Sequence, residues 1–132
     1  MKSKLKKYIQ SGDYFTAYNL IESANISFDF RSLSSYTEGI DAIQIYRFLM
    51  YAISKNETAE LHITICNYIF FVKPHFTDED SLIKWHLVRA FDLSHDIAIL
   101  KNWIFGVYSG NPDCPFSDKE LDYYRKFLFL IE

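Results

Sequence analysis

A chain of 132 residues is long enough to bury one hydrophobic core and short for a second elaborate domain, so we expect a single domain over residues 1–132. Hydrophobic residues make up 49% of the chain and aromatic residues 18%, against four glycines and three prolines, which argues against disorder and against a small β-sandwich. The net charge is −3, but the first seven residues hold four lysines and no acid. Residues 8–132 therefore carry 17 acidic and 10 basic side chains. Such an acidic surface should repel the phosphates of nucleic acid.

Targeting signals and cysteine usage both point to the cytoplasm. The longest apolar run, residues 61–72, is shorter than the roughly 20 residues that cross a bilayer, so no membrane contact is expected. The basic start "MKSKLKK" is not followed by the apolar stretch of a signal peptide. Cys66 and Cys114 do not form a disulfide pattern, which fits a reducing compartment.

The first quarter of the chain is predicted to form a helical hairpin. Start and stop signals give one helix over Lys2–Gln10, which ends at Gly12, and a second over Tyr14–Ala24, which ends at Asn25. Residues 26–36 lack a clear period and are predicted to be irregular.

A pair of longer helices is predicted to follow. Ser35 and Glu38 have the spacing of a capping box and should open a long helix that runs to Asn56. Asn56 could also cap the next helix, which Pro74 should end. Residues 62–72 are rich in β-branched and aromatic side chains, so a strand is the alternative there.

The last third is predicted to contain three more helices. Thr77 and Asp80 form a second capping box, and Asp96 precedes a further apolar period. The Pro- and Gly-containing stretch over residues 109–116 is predicted to be a turn. Ser117 and Glu120 form a third capping box, which opens the final helix. The apolar stripe of that helix is also periodic and consists of Leu121, Tyr124, Leu128 and Ile131. Six or seven helices with short connections predict an all-α fold of stacked antiparallel hairpins, a helical bundle.

The N-terminal hairpin resembles a tetratricopeptide repeat. Small and large residues recur at the intervals of that repeat, at Tyr8, Gly12, Tyr14, Ala17, Ile21 and Ala24. A weaker echo occurs at Leu87, Ala90 and Leu93, with His95 where the repeat usually has proline. The resemblance implies that Gly12 permits a tight turn and that the alanines let two helices approach closely.

A second resemblance covers roughly the C-terminal half. The order of "WHLVRAFDLSHD", "LKNWIFGVYSGNPD" and "SDKELDYYRKFL" resembles small tetratricopeptide-like immunity proteins of bacterial contact-dependent growth inhibition and polymorphic toxin systems. The proline expected after Leu93 is missing. Membership would imply a cytosolic inhibitor that binds the toxic domain of a cognate effector, often a nuclease, and blocks its active site or its substrate surface.

Catalytic and metal-binding chemistry finds little support in the sequence. His62 and Cys66 are one helical turn apart, and His86 or His95 could complete a zinc site, but such a pair on an apolar helix is more often packing. Cys114 has no identifiable base for a nucleophilic mechanism. No glycine-rich phosphate loop or nucleophile elbow is present. We therefore predict a protein that is not an enzyme and needs no cofactor.

Acidic side chains and aromatic anchors are the predicted contacts with a partner. A basic toxin domain, an RNase or a DNase bound one to one, is the electrostatic match to the acidic body of the chain. The alternative for the acids is that they only stabilise helix N-termini, which would account for Asp80, and the alternative for the aromatics is core packing. A tetratricopeptide-like adaptor or chaperone that binds a peptide is the second functional hypothesis. The predicted partner-binding residues are Glu57, Glu60, Asp78, Glu79, Asp80, Trp103, Tyr108, Asp113, Asp118, Glu120, Asp122 and Tyr123.

Overall fold

The chain is all-helical in the computed structural model, which describes the backbone of residues 1–72 and 76–131 and the side chains up to residue 126. No strand occurs in these ranges. The helices are α1 (Lys2–Gln10), α2 (Tyr14–Ser23), α3 (Phe30–Ser34), α4 (Ala42–Lys55), α5 (Ala59–Val72), α6 (Glu79–Ser94), α7 (Ile97–Asn102), which continues into a π-helical turn (Trp103–Val107), and α8 (Asp118–Ile131). None of the helices in the described part combines the length and apolar character needed to cross a bilayer.

The helix count is eight in the described residues, whereas six or seven were predicted. The additional helix is α3, in the segment predicted to be irregular. Asp29 caps it, because its Oδ1 accepts the backbone N–H of Ser32 at 2.7 Å. Leu33, which is 1% exposed, attaches this short helix to the core. Phe30 adds ring contacts with Tyr68 at 4.9 Å and with Phe71 at 5.9 Å, so a cap and tertiary packing, rather than an apolar period, hold α3.

The predicted start of α4 was wrong. Ser35 does not cap it, since its hydroxyl donates to the carbonyl of Ser32 at 3.1 Å and the residue ends α3. Gly39 has a φ of +78°, which breaks any helix that would begin at residue 37. Asp41 is the cap, because its Oδ1 accepts the N–H of Ile43 at 2.9 Å.

The predicted caps of α5 and α6 were also wrong. Asn56 ends α4 in an extended conformation, and Thr58 caps α5 by accepting the N–H of Leu61 at 3.1 Å. Thr77, the predicted cap, lies one residue too early, because the cap position of α6 is Asp78, which has a φ of +56° and makes no capping hydrogen bond through its side chain. Asp80 does not cap either, as its carboxylate accepts from a tyrosine described below.

The caps of the last two helices are confirmed. Asp96 Oδ1 accepts the N–H of Ala98 at 3.0 Å, and Ser117 and Glu120 form both bonds of a capping box, at 2.9 and 3.2 Å. Two predictions lie outside the described residues. These are the helix stop at Pro74 and the side-chain positions of Leu128 and Ile131.

Helix α5 lies at the centre of the packing, between α4 and α6 and beneath α3. It runs antiparallel to α6, because Cys66 near its end contacts the carbonyl of Ile83, while His62 near its start contacts His86. Burial on several sides explains the apolar composition that also suggested a strand. Residues 62–72 are helical, so the alternative of a strand over these residues is excluded.

The N-terminal hairpin packs as predicted over part of its stripe. Leu5 and Ile9 of α1 and Ala17 and Ile21 of α2 are 0% exposed. Ala24 is exposed at the end of α2 and does not lie at the helix crossing, so that position of the predicted stripe was wrong. The small residue that matters for the crossing is Ala17.

Replacing Gly12 with alanine should cost about 1 kcal/mol of unfolding free energy. Gly12 has a φ of +81°, where any L side chain is strained, and the added methyl group would meet no atom within 4 Å. Gly106 is a matched control, because its added methyl also meets nothing and its φ is not left-handed. We expect Gly106→Ala to be neutral or stabilising in urea unfolding. Equal losses for the two variants would contradict the assignment of strain to Gly12.

Candidate functional site

Acidic residues from two distant parts of the sequence meet at one depression, which we call the acidic groove. It lies between the start of α6, the end of α5 and the loop over residues 109–117. Its volume is about 180 Å³. The groove is lined by Phe70, Glu79, Asp80, Ile83, Asn111 and Asp113. Three of these six are carboxylates, and all three were predicted partner-binding residues.

Asp80 is held in the groove by a buried tyrosine. The hydroxyl of Tyr108 donates to Asp80 Oδ1 at 3.0 Å, and the tyrosine is 2% exposed. Burial raises the pKa of the Tyr108 phenol, and the hydrogen bond to the Asp80 carboxylate raises it further. The hydroxyl therefore stays protonated and keeps donating, which fixes the carboxylate in one position.

An aromatic cluster supports the groove from the inside. The ring of Phe70 packs edge-to-face on Trp103 at 5.8 Å and on Tyr108 at 5.9 Å between centroids. The π-helical turn begins at Trp103 and directs the chain so that Tyr108 reaches under α6. Trp103 and Tyr108 thus serve as the base of the site, and at 6% and 2% exposure neither can be reached by a partner in this conformation.

The loop that carries Asp113 is ordered by its own hydrogen bonds. Asn111 Oδ1 accepts the N–H of Asp113 at 2.8 Å, and the N–H of Asn111 donates to the carbonyl of Tyr108 at 3.0 Å. The N–H of Cys114 donates to the carbonyl of Asn111 at 3.2 Å. This Asx turn keeps Asp113 at the wall of the groove without help from a partner.

The carboxylates of the acidic groove have no ion-pair partner in the part of the chain whose side chains are described. Among the residues whose side chains are described, no lysine or arginine nitrogen lies within 4.0 Å of Glu79, Asp80 or Asp113. Asp78, at the start of α6, is exposed and equally without an ion-pair partner there. The start of α6 and the loop opposite it therefore present an uncompensated negative potential.

The remaining predicted contact residues are dispersed. Glu120 pairs with Lys84 at 2.8 Å, and Asp122 pairs with Arg125 at 3.5 Å. Glu60 lies in a different depression, near Glu22. The others are exposed on α8: Asp118, and Tyr123 at 63% exposure. That these side chains contact a partner stays a prediction.

Sequence reasoning missed a buried polar network that joins α4, α5 and α6. Arg89 donates to Glu57 through Nε at 2.9 Å and through a terminal nitrogen at 2.7 Å, and His62 Nε2 lies 2.7 Å from the same carboxylate. The Nδ1 atoms of His62 and His86 are 2.8 Å apart, and both histidines are 0% exposed. Tyr46 closes the chain, with its hydroxyl 3.4 Å from His86 Nε2.

One arrangement of protons satisfies every member of this network. Tyr46 donates to His86 Nε2, His86 Nδ1 donates to His62, and His62 Nε2 donates to Glu57. Hydrogen bonds from Arg89, the larger contribution, and from His62 lower the pKa of Glu57 to about 2. Burial, followed by the neighbouring His62, lowers the pKa of His86 to about 3. The ion pair of this network, between Glu57 and Arg89, is only partly buried, with side-chain exposures of 29% and 42%.

The network gives no support to a zinc site. Two nitrogen ligands of one tetrahedral zinc ion would be about 3.3 Å apart, whereas the 2.8 Å between the two Nδ1 atoms is a hydrogen-bond separation. Cys66 turns away from the pair and donates to the carbonyl of Ile83 at 3.5 Å, and burial raises the pKa of its thiol. No three acidic, histidine or cysteine side chains in the described part of the chain are placed to share an ion.

No protein-family model, curated protein or solved structure matches this chain. The resemblance to immunity proteins therefore depends on the sequence patterns alone.

Proposed function

We propose that this chain is a small immunity protein that binds a basic toxin domain, such as an RNase or a DNase, in the cytoplasm and blocks its active site or its substrate surface. The observation that carries this proposal is the meeting of two acidic stretches at the acidic groove, where three carboxylates lack a cation among the described residues. The complex is one to one. The proposal assigns no catalytic residue, no cofactor and no contact with nucleic acid or membrane to the chain.

The proposed mechanism is competition with phosphate. A nuclease holds its substrate with lysine and arginine side chains, and carboxylates in the groove can occupy those same cations. Phe70 lines the groove, so an arginine that enters it can also contact an aromatic ring. The uncompensated charge speeds the encounter with a basic partner, which an inhibitor of a lethal enzyme requires.

Charge reversal in the groove tests this function. Glu79→Lys with Asp113→Lys should lower the affinity for the toxin domain encoded beside the gene at least about tenfold and abolish protection of cells that express the toxin. Asp80 is left unchanged, since its replacement would free the buried hydroxyl of Tyr108 and disturb the fold. Full protection by the double variant would exclude the groove as the toxin-binding site.

A matched control variant lies at the other end of α5. Glu22 and Glu60 are exposed acids that line a separate depression, between the end of α2 and the connection from α4 to α5. Glu22→Lys with Glu60→Lys makes the same change in net charge. Because the proposal confines the toxin contact to the acidic groove and so excludes Glu60 from it, protection should survive this change. Loss of protection in both double variants would show that only overall charge matters.

The second candidate function is a tetratricopeptide-like adaptor that binds a peptide. The depression near Glu22 supports it, with a volume of about 240 Å³ and a mixed lining that includes Tyr18, Phe28 and Thr58. The packing of α1 on α2, of α4 on α5, of α5 on α6 and of α6 on α7 is consistent with stacked hairpins of that kind. For an adaptor we expect the Glu22 and Glu60 reversal to weaken binding and the groove reversal to leave it unchanged.

A further inference from the structure

A second charged depression, of opposite sign, lies between α1 and the connection from α3 to α4. Its volume is about 200 Å³, and we call it the α1 depression. It is lined by Lys2, Ser3, Lys6, Ser35, Tyr36 and Glu38. Two lysines and three hydroxyl-bearing residues thus line one concave surface, although the Ser35 hydroxyl already donates to the carbonyl of Ser32.

Both lysines contact the connection, although Lys2 is exposed and Lys6 is half-buried. The Nζ atom of Lys2 lies 5.9 Å from the centre of the Tyr36 ring, a cation–π contact. The Nζ atom of Lys6 lies against Gly39, so closely that a Cβ at that glycine would be 3.2 Å away. Gly39 has a φ of +78° and turns the backbone around the lysine.

These two lysines repel each other and have no counterion among the described side chains. They are four residues apart on one helix, where like charges destabilise the helix. No carboxylate in the described part of the chain, Glu38 included, lies within 4.0 Å of either ammonium group. A multivalent anion between Lys2 and Lys6 would remove the repulsion.

We propose that the α1 depression binds a phosphate group, as inorganic phosphate or as the phosphate of a small phosphomonoester. Ammonium groups and hydroxyls are the donors that phosphate oxygens accept from, and a doubly charged anion matches two lysines. The hydroxyls of Ser3 and Tyr36 add hydrogen-bond donors at the same depression. Glu38 also lines it, and its carboxylate lowers the affinity by repelling the anion. The site is independent of the acidic groove and of the function proposed for it.

The test is a titration of the full isotope-labelled chain with inorganic phosphate at constant ionic strength, followed by amide chemical shifts. We expect saturable shifts confined to residues 2–6 and 35–39, and no such shifts with chloride. Glycerol phosphate in a parallel titration distinguishes a phosphomonoester from free phosphate by its affinity. Lys2→Gln with Lys6→Gln should weaken binding at least tenfold, and Glu38→Gln should strengthen it.

The control uses two other lysines of the same helix. Lys4 and Lys7 are exposed and lie outside the depression, so Lys4→Gln with Lys7→Gln removes the same charge without touching the site. We expect this variant to bind phosphate within twofold of the parent chain. Shifts that never saturate, or equal weakening by the two double variants, would overturn the site and leave only diffuse attraction of anions to α1. All of these positions are at the surface, and the dispersion of the spectra checks the fold in each case.

Discussion

Replacing Glu57 with alanine should lower the free energy of unfolding by about 2 kcal/mol. The carboxylate accepts from the buried imidazole of His62 and from two nitrogens of Arg89, and its side chain is only 29% exposed. Alanine would leave the His62 N–H without an acceptor inside the protein and would release the guanidinium. Because His62 is bonded to His86, the loss extends to the contact between α5 and α6.

Glu60→Ala is the matched control for this measurement. Glu60 is an exposed acid three residues further along, and its one described hydrogen bond, from Ser27 Oγ, is long at 3.5 Å. We expect it to change the unfolding free energy by about 0.5 kcal/mol or less in urea titrations that are otherwise identical. A cost for Glu57→Ala no larger than that of the control would show that the network contributes nothing to stability.

Acidification should destabilise the fold over the range in which histidine normally titrates. His86 has its pKa lowered from 6.5 to about 3, so below pH 6.5 the unfolded chain binds a proton that the folded chain does not. Stability therefore falls as the pH falls from about 6.5 toward 3, by up to about 1.4 kcal/mol per pH unit. Glu57, with its pKa lowered from 4.5 to about 2, adds a further loss below pH 4.5. Tyr46, Trp85 and Glu57 face the two imidazoles. Glu57 also accepts a hydrogen bond from Arg89.

Asparagine substitutions separate His86 from the other titrating groups. His86→Asn keeps a donor near His62 but cannot titrate, so the slope of stability against pH between 6.5 and 4.5 should nearly disappear. His95→Asn is the control, because His95 is exposed, lies outside the network and has a left-handed φ of +56° that asparagine tolerates. Its slope should match that of the parent chain. Equal slopes of stability against pH for the parent chain, His86→Asn and His95→Asn would rule out His86 as the source of the acid sensitivity.

Local signals in the sequence predicted the N-terminal hairpin and the all-helical class. Helix α1 begins and ends where predicted, because Gly12 provides a stop that needs no tertiary contact. The predicted starts of α4, α5 and α6 were misplaced. Several polar residues near each start have a side chain that can cap a helix, and tertiary packing decides which of them does. Ser35 and Asp41 both have the right chemistry, and the turn at Gly39 selects the latter.

The acidic groove could be predicted only in part. Glu79, Asp80 and Asp113 stand out as acids, but their convergence depends on the antiparallel packing of α5 and α6 and on the π-helical turn before the 109–117 loop. Neither leaves a periodic trace in the sequence. The same holds for the buried network, whose histidines are 24 residues apart. The aromatic residues at 103 and 108 were predicted as candidate anchors, with core packing as the alternative, and burial places them in the core.

Hydrogen exchange of the chain with and without its toxin domain tests the proposed function most directly. The first amides of α6 lack helical acceptors, and those of the 109–117 loop lie at the surface, so both should exchange quickly in the free chain. With the toxin domain bound, we expect slowed exchange at residues 79–83 and 109–114, and no change at residues 18–28 and 56–61. Protection confined to the second pair of segments, or no protection at either, would contradict binding at the acidic groove.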